Sequence, residues 1–153
     1  MTEIKTMTTP NYDPSKLATV KSYITIAFVF NIIALVAWIL AALSQIIAYF
    51  TFQSYVYYYY TVSAPISILI TGVVFLVFFV LSLIVFMRVR TMYTAVNRGD
   101  IATLKQLNNM MWSILALIFA GVIPGILLIM ATGPINEIGQ PAAAYPPPPP
   151  PPA

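Results

Sequence analysis

Few side chains in this chain could perform acid–base or metal chemistry. The 153 residues include no His and no Cys, which excludes imidazole and thiolate ligands, disulfides, and nucleophilic Cys or His-based catalysis. The four acids, Glu3, Asp13, Asp100 and Glu137, lie in separate segments, so no carboxylate pair is available for general acid–base work. Phosphate-loop and Ser-nucleophile motifs are also missing. We therefore expect no enzyme, no metal, no cofactor and no small-molecule substrate.

The remaining charged side chains are basic and fall in two places. Lys5, Lys16 and Lys21 precede the first apolar run, and four more basic residues surround a turn near Gly99. Such clusters set the topology of spanning helices and attract anionic lipid. They can also neutralise the phosphates of DNA, and both interpretations stay open. The predicted basic face consists of Lys16, Lys21, Arg88, Arg90, Arg98 and Lys105.

Two long windows without any charge decide the fold class. No Asp, Glu, Lys or Arg lies between Lys21 and Arg88, or between Lys105 and Glu137, and the chain is 60% hydrophobic and 7% charged. A body of this size cannot bury that much apolar surface in its own core, so it needs a lipid bilayer or a large apolar assembly. We predict an all-α fold with three long transmembrane-type helices at about 20–50, 65–97 and 101–131. Helices two and three should form a tight hairpin.

The segments outside these helices differ in composition. Residues 1–19 are predicted to form a polar N-terminal tail, 20–134 the three-helix domain, and 135–153 a Pro-rich tail after a stop at Gly133 and Pro134. Seven consecutive prolines follow Tyr145, and such a run adopts a stiff polyproline II rod. It would serve as a spacer or as a ligand for an aromatic groove. The Tyr-rich connection at 51–63 is predicted to be an interfacial aromatic belt or a subunit contact.

A seven-residue repeat marks one face of the first helix. Ala recurs every seven residues from position 27 to 48, and Asn, Trp and Gln follow the first three of these alanines by four residues. Small residues allow close helix approach in lipid, and amides can bond across helices. In the third helix a Gly-x-x-x-Gly spacing favours close contact, while Pro124 predicts a kink. The predicted helix-packing residues are Ala27, Asn31, Ala34, Trp38, Ala41, Gln45, Ala48, Gly121 and Gly125.

The positions of the basic residues predict an orientation. With three spans, the N-terminus and the 88–105 turn lie on one side of the membrane or shell. By the positive-inside rule this is the inside. The Tyr-rich loop and the Pro-rich tail would then lie outside.

Two resemblances accompany these patterns. The chain is Ile- and Tyr-rich, lacks Cys and has an almost uncharged outer face. In these respects it resembles small hydrophobic helical proteins of thermoacidophilic archaea and the coat proteins of their spindle-shaped viruses. That resemblance implies side-by-side packing of helical subunits around DNA. Locally, the stretch from Arg98 through Gly99 and Asp100 to Ala102 resembles the charged turn between two spans of the dispanin group.

Together these patterns predict a structural protein. We expect a non-enzymatic subunit that self-assembles through apolar helix faces into a shell or membrane array, in its most concrete form a viral coat or envelope protein. Its partners would be further copies of itself and lipid or another apolar assembly, with DNA phosphates as a further partner of the basic face. The alternative is a small accessory subunit or adaptor of a cellular membrane complex.

Overall fold

A computed structural model describes residues 14–59 and 66–138 of the chain, with the side chains of 56–59 left out. These residues form five helices and no strand, so the all-α prediction is confirmed for the described part. The predicted polyproline rod and most of the N-terminal tail lie outside these residues. The helices are α1 Pro14–Tyr59, α2 Ile66–Arg98, α3 Ile101–Leu107, α4 Met110–Phe119 and α5 Val122–Glu137.

Helices α1 and α2 form a long antiparallel pair. The ring centroids of Phe28 and Phe86 lie 5.5 Å apart near one end, and those of Trp38 and Phe75 lie 5.9 Å apart further along. The 46 residues of α1 extend for about 69 Å at 1.5 Å per residue, more than twice a hydrocarbon layer of about 30 Å. Helix α1 therefore extends well beyond any single bilayer core.

The predicted Tyr-rich loop is wrong over residues 51–59, which continue α1. No Pro or Gly interrupts this stretch, and the Ser54 hydroxyl donates a 2.9 Å hydrogen bond to the Phe50 carbonyl one turn back. Residues 60–65 lie outside the described part of the chain. Helix α2 begins and ends within one residue of the predicted 65–97.

The turn after α2 is built as its sequence indicates. Gly99 has φ +70°, a left-handed conformation that side chains disfavour. Asp100 then caps α3: its carboxylate accepts a 2.9 Å bond from the Thr103 amide and a 2.6 Å bond from the Thr103 hydroxyl. These bonds lower the pKa of Asp100, and the nearby charge of Arg98 acts in the same direction. The turn thus depends on an ionised Asp100.

We expect acid to loosen this turn. Because the folded chain holds the pKa of Asp100 below its unfolded value of about 3.9, the stabilisation is fully present above that pH and is lost as pH falls through the lowered pKa. Asp100→Asn should abolish this part of the pH dependence. Unfolding in detergent across an acid pH series measures it, and equal acid sensitivity of the two chains would contradict the role.

The third long helix predicted at 101–131 is wrong, because the segment divides into α3, α4 and α5. Helix α3 ends before Asn108, whose backbone is extended, and Asn109 begins α4 because its side chain accepts a 2.9 Å bond from the Met111 amide. Gly121, at φ +108°, reverses the chain after α4. Pro124 falls in the first turn of α5, where its missing N–H costs nothing, so it starts a helix instead of kinking one.

Helices α4 and α5 form a hairpin that enters the bundle and returns. Its tip lies beside Trp38 in the middle of α1, where the indole Nε1 donates a 2.7 Å hydrogen bond to the Phe119 carbonyl. Its return end lies at the start of α1, where Lys16 Nζ is 2.7 Å from Glu137 Oε2. Helix α5 also continues through Pro134 to Glu137, so the stop predicted at Gly133 and Pro134 is wrong.

This path determines where the described chain ends, while the predicted outward exit of the C-terminal tail falls on residues after Ile138, outside the described part. Ile138, the last described residue, is at the end of the bundle that carries Lys16 and Arg98, because α4 and α5 together cross to mid-bundle and back. We call this end the basic half, and the part of α1 and α2 beyond Trp38 and Phe75 the tyrosine half.

The buried core lies almost entirely in the basic half. Val20, Ile24 and Ala27 of α1 are completely buried in one cluster with residues of α2 and α5. In the tyrosine half only Ala42 and Gly72 are buried among the described residues. Two helices, Pro14–Tyr55 and Ile66–Arg98, are long and apolar enough to cross a membrane, and only 17% of the most apolar window of each is buried.

Candidate functional site

One face of α1 changes from fully covered to uncovered along its length. Among the alanines of the seven-residue repeat, Ala27 is completely buried, Ala34 and Ala41 are partly exposed, and Ala48 is exposed. The reason is the length of the hairpin, which covers the basic half and ends beside Trp38. Beyond that point the alanines of this face become more exposed, from Ala41, which is partly exposed, to Ala48, which is exposed.

This uncovered surface, the open face of α1, consists of two grooves in succession. The first has a volume of about 270 Å³ and lies between α1 and the hairpin tip at Ala120 and Gly121. The second, of about 640 Å³, follows α1 toward its tyrosine end. Alanines line most of the first groove, whereas larger side chains such as Ile47 and Phe52 line part of the second. Small residues of this kind allow an apolar helix to approach closely. The α1 residues that line them are Ala34, Ala37, Trp38, Ala41, Ser44, Ile47, Ala48, Thr51, Phe52 and Tyr55.

The two amides of the predicted packing set do not reach the open face. Asn31 is completely buried, and its side-chain oxygen and nitrogen make no hydrogen bond within the described chain. Gln45 packs toward α2, where its Cβ lies 3.3 Å from the position a Cβ would take on Gly72. Gly72 thus lets α1 and α2 approach closely in the tyrosine half.

The Gly-x-x-x-Gly pair serves the hairpin. Gly121 forms the reversal, and Gly125 lies so close to α4 that an added Cβ would overlap the backbone and Cβ of Leu117. The contact is therefore between α4 and α5 of one chain. Aromatic rings complete the tip, since the ring of Phe78 lies 5.2 Å from that of Trp38 and 5.5 Å from that of Phe119.

Arg88 fixes the base of the hairpin to α2. Its terminal nitrogen donates a 3.0 Å bond to the Leu107 carbonyl at the end of α3, and its guanidinium lies 4.7 Å from the ring centre of Trp112. Asn108 completes the base, because its amide nitrogen donates to the Thr132 carbonyl at 3.1 Å and to the Asn136 side chain at 2.9 Å. Sequence reasoning missed both asparagines, although two consecutive Asn residues before an apolar run are a cap signal.

The predicted basic residues all lie at the basic end of the bundle. Lys21, Arg90 and Arg98 are exposed, and Lys105 is partly exposed. Lys16 pairs with Glu137, and Arg88 is directed into the hairpin base. The exposed and partly exposed cations among the described residues therefore give the basic end of the bundle a positive charge.

Within residues 14–59 and 66–138, no group of three His, Cys, Asp or Glu side chains could hold a metal ion. The arrangement offers packing surfaces and positive charge. No protein-family model, curated protein or solved structure matches this chain.

Proposed function

We propose that this chain is a non-enzymatic membrane structural protein that self-assembles through the open face of α1. One observation carries the proposal: the face of α1 that is completely buried at Ala27 becomes exposed toward Ala48 and carries two open grooves along the described helix. Exposed apolar side chains surround the two long helices, such as Ile33, Leu40 and Ile47 at 56%, 59% and 63% exposure. Lipid is the environment that tolerates this surface.

A second copy suits the open face because its residues match the requirements of helix pairing in lipid. The alanines at 34, 41 and 48 allow a close approach, and the larger Phe52 and Tyr55 provide side chains that can fill a facing groove. The assembly would be an array of helical subunits within a membrane. A coat or envelope protein of an archaeal virus is the concrete form of such an array.

The alternative is an accessory subunit or adaptor of a cellular membrane complex. In that case an unrelated helix would occupy the open face, and the exposed cations of the basic end would contact anionic lipid headgroups. Purification from native membranes distinguishes the two, because an unrelated protein at fixed stoichiometry would exclude self-assembly as the main role.

Disulfide crosslinking tests self-assembly directly, since the chain contains no native Cys. Single cysteines at Ala41 and Ala48, on the open face, should form dimers in membranes on oxidation. Ile33 and Leu40 provide the matched controls, because they have the same seven-residue spacing on an exposed apolar face that lines neither groove. Cysteines there should give little dimer. Equal crosslinking at all four sites, or none at Ala41 and Ala48, would exclude a specific interface.

A further inference from the structure

The number of helices changes along the bundle axis. In the basic half α1, α2, α4 and α5 lie side by side, with Trp38 and Phe119 marking the hairpin tip and Lys16 and Glu137 its return end. In the tyrosine half only α1 and α2 remain among the described helices, packed closely at Gly72. The cross-section of the protein is therefore much larger at the basic end.

This change occurs within the depth of one bilayer. Helix α4 has 10 residues and rises about 15 Å, half of a hydrocarbon layer of about 30 Å. Arg88 and Trp112 lie together at the hairpin base, and Arg88 is the first charge after the apolar run of α2. Arg and Trp side chains are typical of the membrane–water boundary. The hairpin thus occupies the leaflet at the basic end and leaves the opposite leaflet to two helices.

We propose that the chain acts as a wedge that favours curved membranes, with its basic end in the convex leaflet. A protein with four helices in one leaflet and two in the other displaces more lipid from the first. The bilayer relieves this difference by bending so that the leaflet containing the hairpin has the larger area. The proposal rests on the membrane embedding proposed above, and does not depend on self-association.

The wedge sets a direction for any array of these subunits. Wide basic ends packed side by side would make the basic surface convex, so a closed shell would carry its cations outward. Such a taper disfavours a closed shell with the basic residues facing enclosed DNA. It favours tubules or buds whose convex surface attracts anionic partners.

Reconstitution into vesicles of two sizes tests the wedge. Two single-cysteine chains report orientation: Ala102→Cys marks the basic end and Ser54→Cys the tyrosine end, and both positions are exposed. In small vesicles an impermeant maleimide added outside should label a larger share of Ala102→Cys than of Ser54→Cys, because the outer leaflet is convex. In large vesicles this excess should decline, since their curvature is weak.

Gly125→Ala provides the variant that disturbs the hairpin, and Gly133→Ala the matched control in open space on the same helix. The excess of Ala102→Cys over Ser54→Cys labelling in small vesicles should fall in Gly125→Ala and persist in Gly133→Ala. Should Gly125→Ala fail to fold, the size series on the otherwise unaltered chain still decides. An orientation that does not change with vesicle size overturns the wedge.

The same preparations separate this proposal from the one on which it rests. Flotation and alkaline extraction report whether the chain is embedded in the bilayer. A chain that alkali removes would contradict membrane embedding itself. A chain that is retained but shows no size-dependent orientation would contradict the wedge alone.

Discussion

A cysteine introduced at Ala143 will react with an impermeant maleimide from the same side of the membrane as one at Ala102, and from the side opposite to Ser54. Ala143 follows the last described residue, Ile138, by five positions, and Ile138 lies at the basic end because the hairpin returns there. Labelling of intact membranes, followed by labelling after permeabilisation, measures the side of each cysteine. The expected effect is all or none.

The opposite result has a clear meaning. If Ala143→Cys labels together with Ser54→Cys, the segment from 101 to 131 crosses the membrane as one helix, as its uninterrupted apolar composition indicates. The contact between Trp38 Nε1 and the Phe119 carbonyl would then not form in the membrane. A cysteine at the exposed Ile123 adds an internal control. At a hairpin tip it lies at mid-bilayer and should resist labelling from either side.

Replacing Gly125 by Ala will destabilise the hairpin strongly. The new methyl group would overlap backbone atoms of Leu117, and backbone cannot rotate away as a flexible side chain can. Overpacking of this kind costs about 1–3 kcal/mol or more, and here it would force α4 and α5 apart. Unfolding in mixed detergent micelles should shift accordingly.

Gly133→Ala is the control for that substitution. Both glycines lie in α5, and both changes raise helix propensity by a similar amount, but an added Cβ on Gly133 meets nothing within 4 Å. It should be neutral or stabilise by up to about 1 kcal/mol. Equal loss of stability in both variants would mean that the α4–α5 contact is not specific.

Local signals in the sequence predicted some features well and others poorly. The bounds of α2 and the turn at Gly99 and Asp100 follow from short-range chemistry, a left-handed glycine and a capping carboxylate, and both were predicted. The hairpin of α4 and α5 was not predicted, because about thirty consecutive residues with few polar groups have the composition of a membrane-spanning helix. The breaks depend on Asn109 and Gly121, which bind or turn locally without altering overall hydrophobicity.

The candidate site was likewise predictable from the sequence only in part. The seven-residue spacing of Ala27, Ala34, Ala41 and Ala48 places them on one helical face, and this follows from helix geometry alone. Which of them is covered depends on where α5 begins along α1, and that depends on the reversal at Gly121. The role of Gly125 likewise required knowing that its neighbour is Leu117 of the same chain.

The shortness of the hairpin helices has a consequence for the order of synthesis. A helix needs about 20 residues to span a bilayer, whereas α4 has 10 residues and α5 has 16. Isolated helices below about 12–15 residues are only marginally stable, and α4 is shorter than that. The ribosome therefore delivers two complete spans before the segment that packs against them exists. Until that segment arrives, Val20, Ile24 and Ala27 have no covering helix α5. A chain interrupted before residue 122 would therefore leave these three side chains without the contacts that α5 supplies.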